Sequence, residues 1–299
     1  MSSVAMGSLF PKELINDMFS KVAGKSSIAK LANQMPIAFN GNEIMTFSLD
    51  KDISIVAEGA AKPAGDATVG SITITPLKVV YQARINDEFK NCAEDKQLDY
   101  LAQFADGFAK KIARGLDIMV FHGLNPATAT TATAIGTNCL DLHADVSTAS
   151  STASTKEQLL SAAIGSLGDG YTCNGIAMSP AFASALAATT ATDEGRPYKD
   201  FMWGGNPGTI RGINCDVNPT VAVSASTETT NDAYVGDFQN CLKWGYAARV
   251  PMELIEYGDP DGQGDLKKLN QILLRTEAYI GWGILDGAAF GHIFTSNAE

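Results

Sequence analysis

Between residues 95 and 123 the apolar side chains Leu98, Leu101, Ala105, Phe108, Ile112, Leu116 and Met119 recur every three or four positions. That spacing predicts a helix with one apolar stripe. Lys96, Asp99, Gln103, Asp106, Lys110, Lys111 and Asp117 fall largely off the stripe, which predicts a wet opposite face. At ~1.5 Å per residue such a helix runs roughly 40 Å. Gly107 and Gly115 weaken it, each at about 1 kcal/mol against Ala. Packing along the stripe must therefore hold it, and the helix reads as a beam on which the rest of the chain hangs.

Ahead of the beam, Leu14, Ile15, Met18, Phe19 and Val22 predict a short amphipathic helix over residues 12–23. Residues 26–40 are mixed and contain Pro36, which predicts an extended arm needing a surface to lie on. Two strand-like segments follow, 43–55 and 71–85, the second alternating through Ser71-Ile72-Thr73-Ile74-Thr75. Between them lies a small, partly charged stretch from Val56 to Asp66. A two-stranded hairpin of this length is marginal in water, so it should lean on the beam or on another molecule.

Behind the beam, residues 125–155 are rich in Thr, Ala and Ser, a composition of loop and edge strand. Thr155 is placed to cap a helix over 156–167, stopped by Gly168-Asp169-Gly170. Residues 175–178 read as a buried strand, Ser179-Pro180 opens another helix to Ala188, and 193–197 make a turn. Residues 212–217 and 233–238 read as further strands. This order predicts a sheet flanked by helices. A final strand pair, 248–257 and 269–284, surrounds the turn at 259–265. Leu274, Thr276, Ala278, Ile280, Trp282 and Ile284 form the dry face of the return strand.

Composition narrows the function. With 299 residues the chain can build one large domain or two smaller ones. A formal net charge of −11 argues against gripping nucleic acid through a neutralising basic face. No run approaches the roughly 18 apolar residues of a membrane span, and Met1-Ser2-Ser3 starts no signal peptide. Cys92, Cys139, Cys173, Cys215 and Cys241 are widely spaced, with no CxxC pair, as expected for reduced thiols in an intracellular product.

The order of these segments resembles the major capsid protein of tailed bacteriophages, the Hong Kong 97-type shell family. The matches are Glu58-Gly59 with Lys62-Pro63, Gly123 with Pro126, Met178-Ser179-Pro180, Asp193 to Pro197 and Gly212-Ile213. Val235-Gly236-Asp237-Phe238 and the closing Arg275, Glu277, Gly281, Asp286 and Ala289-Phe290 complete the set. The resemblance covers nearly the whole chain and implies an α+β fold. Its parts would be an N-terminal arm (1–42), an extended E-loop hairpin (43–85), a peripheral domain with a spine helix (86–155 and 246–299) and an axial domain (156–245). It also implies hexamers and pentamers of this chain, packaged double-stranded DNA held by enclosure, and separate scaffolding, portal and decoration proteins. The place implied is the virion capsid, after synthesis in the host cytoplasm. Some relatives carry a scaffolding segment of roughly a hundred residues before the arm; at the loop lengths of folded chains there is no room for one here.

The search for chemistry returns little. His122, His143 and His292 lie far apart in the chain and in no ligand spacing, which predicts structural or exposed roles. There is no phosphate loop and no nucleophile elbow, and Cys173 stands where a dinucleotide fingerprint needs its third glycine. Asp259, Asp261, Gln263 and Gly264 fit the first half of a calcium loop. Asn270 at the twelfth position cannot supply the bidentate carboxylate, and a hairpin turn explains the same residues. No catalytic residue, cofactor or metal is expected. Lys62 stands in the segment from which some relatives crosslink a lysine to a neighbouring asparagine, though nothing identifies the asparagine or the base; an intersubunit ion pair is the plainer role. Glu58, Lys62, Asp259, Asp261 and Asp265 are the candidate intersubunit contacts. An encapsulin-type nanocompartment shell and a soluble α/β enzyme are the alternatives.

Overall fold

The computed structural model describes residues 22, 24–49, 52–92, 94–144, 146–149, 155–189, 195–226 and 229–296. The predicted helix over 12–23 lies almost wholly outside them, and so does the start of the turn at 193–197.

The beam forms as α2, Glu94–His122. Its stripe residues Leu101, Ala105, Phe108, Ile112, Leu116 and Met119 are buried, while Leu98 in the first turns is exposed. The prediction of a wet face fails at Asp117, which is fully buried. The reason is local: from Leu116 to His122 every residue is buried, so this end is enclosed all round.

Two sheets share the helix. The first is four-stranded, in the order β1 (Asn33–Gln34), β10 (Leu242–Ile255), β11 (Gln271–Ile284), β4 (Leu77–Asn86). Its dry face carries Leu274, Ala278, Ile280 and Trp282, which join the stripe of α2 in one core. The second is six-stranded and mixed, ordered β5 (Val146–Ala149), β12 (Phe290–Ser296), β9 (Thr229–Gly236), β6 (Gly175–Met178), β8 (Ile213–Val217), β7 (Thr209–Ile210). Strand side chains alternate, so this sheet offers two faces. Ile176, Met178, Ala233 and Val235 meet α3 (Lys156–Gly165) and α4 (Pro180–Ala187), whereas Ala177 and Tyr234 meet the enclosed end of α2. The rings of Phe121 and Tyr234 stack at 4.8 Å. Both flanking helices start as the caps predict: Thr155 closes a capping box with Gln158, and Ser179 accepts from Phe182 N–H.

Two expectations need correction. Residues 26–40 are not simply extended, because Ser26 caps a short helix, α1 (Ser27–Leu31), before β1 pairs parallel to β10. The surface this segment needs is its own subunit: Trp244 Nε1 donates to Ala32 O, and Met35 N–H donates to Trp244 O. A Cβ at Gly245 would stand 1.8 Å from Met35 O, so only glycine admits the segment there. The predicted strand 71–85 is in fact two strands broken at Pro76. β3 (Ala67–Ile74) pairs with β2 (Asn42–Leu49) in a separate hairpin, and β4 joins the main sheet. Strands β5 and β12 come from chain ranges outside 156–245, so ranges in sequence do not coincide with sheets.

Candidate functional site: an exposed hairpin above buried polar hubs

Cross-strand register puts Met45 opposite Ser71, Phe47 opposite Val69 and Leu49 opposite Ala67. Directly opposed residues share a face, so Met45, Phe47, Leu49 and Val69 make one apolar surface. All four are exposed, Phe47 by 66%. Beyond the strands, Ile53 and Ile55 are fully exposed, and Gly59, at φ +80°, turns the chain back. Glu58 and Lys62 are exposed in this same segment. Among the described residues the hairpin is seated at its base, where Ile74 is buried and lies over Gly281 and Gly283. It leans on β11, not on the beam.

The other predicted contacts belong to a different device. Arg84 on β4 donates through Nε to Asp261 Oδ2 at 2.8 Å and through Nη1 to Gln271 at 3.1 Å. Its Nη2 reaches Asp259 at 3.3 Å, Gly264 O at 2.8 Å and the second oxygen of Asp261. The Arg84 hydrogen bonds hold the Asp261 carboxyl down, at about 2. Asp265 accepts from Lys268 N–H at 3.0 Å. A guanidinium therefore occupies the centre of the loop that resembled a calcium site. Among the described residues no group of His, Cys, Asp or Glu is arranged to hold a metal ion.

Two buried polar hubs join the parts. Asp117 accepts from Ser26 Oγ at 2.5 Å, Ser27 N–H and Ile28 N–H at 3.1 Å, Asn218 Nδ2 at 3.1 Å and Thr220 Oγ1 at 3.0 Å. Burial nonetheless pushes its carboxyl up to about 6. Next to it, Asp216 on β8 accepts from Ser27 Oγ and Lys30 Nζ, both at 2.5 Å. Adjacent serines thus plug into two aspartates from two parts of the fold. The run Leu116–Phe121, with one acid inside it, was the available signal.

Elsewhere the structure gathers two histidines that are far apart in sequence. His122 Nδ1 lies 2.9 Å from Asp141, and its Nε2 donates to Thr220 O at 2.9 Å. His292 Nε2 lies 3.0 Å from Asn231, its ring stacks on Tyr234, and burial lowers its pKa. Tyr234 donates to Asp141. His122, Asp141, Asn231 and His292 border a cavity of about 360 Å³ that Cys139 also lines. With both nitrogens engaged, His122 has no lone pair free for a substrate, and burial pushes the Cys139 thiol up to about 11, far from the thiolate a nucleophile needs. The cluster ties α2 to the second sheet. His143 stays outside it.

One long helix shared by two sheets, with an apolar hairpin rooted on β11 and exposed beyond it, is the arrangement that the resemblance to the Hong Kong 97-type fold implied. The phage capsid family matches residues 7–293, and the chain belongs to that family. A solved structure described as Mycobacterium phage Ogopogo is similar with 31% identity and a TM-score of 0.78, covering 91% of this chain and 92% of that one. Another, Gordonia phage Cozz, has 24% identity and a TM-score of 0.74 over 92% and 87% of the two chains. A third, described as the capsid of an empty GTA particle computed with C5 symmetry, shares the fold at 14% identity and a TM-score of 0.62, over 91% and 90%. No curated protein matches the sequence. The protein is a structural component of a phage head, a major capsid protein whose place is the virion capsid. These matches do not favour the nanocompartment or enzyme alternatives. No helix among the described residues is long and apolar enough to cross a membrane.

Proposed function

We propose that this subunit assembles as hexamers and pentamers into a closed icosahedral shell around double-stranded DNA, held by enclosure and not by sequence recognition. The observation that carries this is the open apolar face of the hairpin, Met45, Phe47, Leu49 and Val69. A surface this apolar is covered in a working molecule, and a second copy covers it at every position of a closed symmetric ring. The hairpin is the E-loop of range 43–85, residues 1–42 the arm, α2 the spine of the peripheral domain (86–155 and 246–299), and 156–245 the axial domain. Glu58 and Lys62 make the polar part of the intersubunit contact. Asp259 and Asp265 offer their outward atoms to a neighbour, and Asp261 is held by Arg84. The subunit is made in the host cytoplasm, works with separate scaffolding, portal and decoration proteins, and catalyses nothing.

Size-exclusion chromatography with light scattering tests the assembly. Rings or megadalton particles are expected, and a stable monomer at micromolar concentration under assembly conditions overturns it. Nuclease-protected DNA in particles from infected cells tests the enclosure.

A further inference from the structure

The charges on α2 are unevenly distributed. Before Gly107 stand the acids Glu94, Asp95, Asp99 and Asp106 with a single cation, Lys96; beyond it the exposed charges are Lys110, Lys111 and Arg114, and Asp117 is buried. From Gly107 to Leu140 there is no exposed acid. In a chain of net charge −11 this is a distinct surface. Lys110 and Lys111 lie four and three residues before Arg114, so the three cations are neighbours on the helix. Among the described residues neither Lys111 nor Arg114 has an ion-pair partner. Lys110 meets Asp106 at 2.9 Å, but Asp106 also holds Lys25 at 3.1 Å, so Lys110 can turn away without stranding that carboxylate.

A neutral polar loop flanks the cations. The Cβ position of Gly115 lies 3.4 Å from Pro126 Cγ, which sets the exposed residues 125–131 beside the turn carrying Arg114. That loop supplies Asn125, Thr128, Thr130 and Thr131, all uncharged hydrogen-bonding groups. Cations with hydroxyls and amides, with Asp106 as the one acid at their edge, are the chemistry of phosphate contacts.

We propose that Lys110, Lys111 and Arg114, with the 125–131 loop, form a weak, sequence-independent contact for the phosphate backbone of the enclosed DNA. The contact rests on the enclosure proposed above. Charge complementarity selects the partner: a duplex carries one negative charge per about 1.7 Å of its axis, denser than any exposed acidic strip on this subunit can present. Three neutralised phosphates give a salt slope near −2.7, so the grip fades at moderate salt and leaves the duplex free to slide.

The test uses full-length unassembled subunits and a mixed-sequence double-stranded DNA fragment, with anisotropy read from 50 to 200 mM salt. Wild-type affinity should fall roughly 40-fold over that range. The variant Lys110→Gln/Lys111→Gln/Arg114→Gln should bind weakly with little salt dependence and assemble with wild-type yield. The control Lys268→Gln should behave as wild type. Wild-type subunits without measurable DNA binding, or a triple variant that binds as wild type does, overturn the contact. A triple variant that fails to assemble while keeping its DNA affinity assigns the strip to an acidic face of a second copy and overturns it too. Wild-type particles free of DNA overturn the enclosure instead, a result read separately from subunit affinity.

Discussion

Among the described residues Asp117 has no cation beside it, only donors from the arm, from residues 218–220 and from backbone N–H groups. Its folded pKa, about 6, stands above the usual 3.8, so the folded state binds its proton more tightly than the unfolded chain does. The carboxyl's contribution to stability therefore falls as pH rises from about 4 to about 6 and is flat beyond. Asp117→Asn keeps the shape but turns an amide against donors, at a cost of about 1–3 kcal/mol. Because the variant lacks this titration, its deficit should shrink as pH rises through the window. Denaturant midpoints at both ends of it check this, and a deficit that grows instead contradicts the assignment. Thr276 on β11 behaves oppositely. Its hydroxyl is buried with no hydrogen-bond partner among the described residues, so Thr276→Val should preserve the packing and raise stability by about 1 kcal/mol. A thermal melt decides it.

The hairpin β2–β3 has a rooted end and a free end, and the two should respond differently to mutation. At the root, a Cβ on Gly283 would come 2.7 Å from Ile74 Cγ1 and 2.9 Å from its Cδ1. Gly283→Ala should cost the subunit about 1–3 kcal/mol and tilt the hairpin, because Ile74 is buried with little room to move. At the free end, replacing residues 56–68 by a Gly-Ser turn should leave the circular dichroism and melting of the subunit nearly unchanged, since closure entropy varies slowly with loop length. Closed shells should be lost. Wild-type shells from that variant would remove the hairpin from assembly, and an unfolded subunit would place it in the core. This difference within one element also marks what the sequence could tell. The period of α2, the caps at Thr155 and Ser179 and the alternation of β11 were legible because they are local. Pro76 marked a break inside 71–85, but nothing local said that β4 would leave its hairpin to pair with a strand nearly two hundred positions away. Nor did the pattern reveal that Ile28, Leu31 and Ile37 fold back on their own subunit, because an apolar arm looks the same whichever surface it covers.

What was legible of the candidate surface follows the same division. Glu58 and Lys62 stand exposed on the hairpin as their segment predicted, whereas Arg84, which claims Asp261, came from a strand whose pairing had to be known first. The histidine cluster was illegible for the same reason, because His292 reaches the others only once β12 pairs with β9, which carries Asn231 and Tyr234. These placements decide how many copies should associate. The molecule carries 33 acidic against 22 basic residues, so bringing copies together is opposed by their net charge. Among the described residues the hairpin presents an open apolar face, while ion pairs such as Arg84 with Asp261 and Lys30 with Asp216 are spent inside the subunit. Apolar burial is not weakened by salt, and the repulsion between exposed charges is screened once the Debye length drops from about 14 Å near 50 mM toward about 4 Å near 500 mM. Assembly of purified subunits should therefore become faster and more complete as sodium chloride rises across that range. Light scattering at fixed subunit concentration follows it. If shell yield falls instead, the contacts between copies are dominated by ion pairs, with Glu58 and Lys62 the first to substitute, and the apolar face of the hairpin is not what holds the shell.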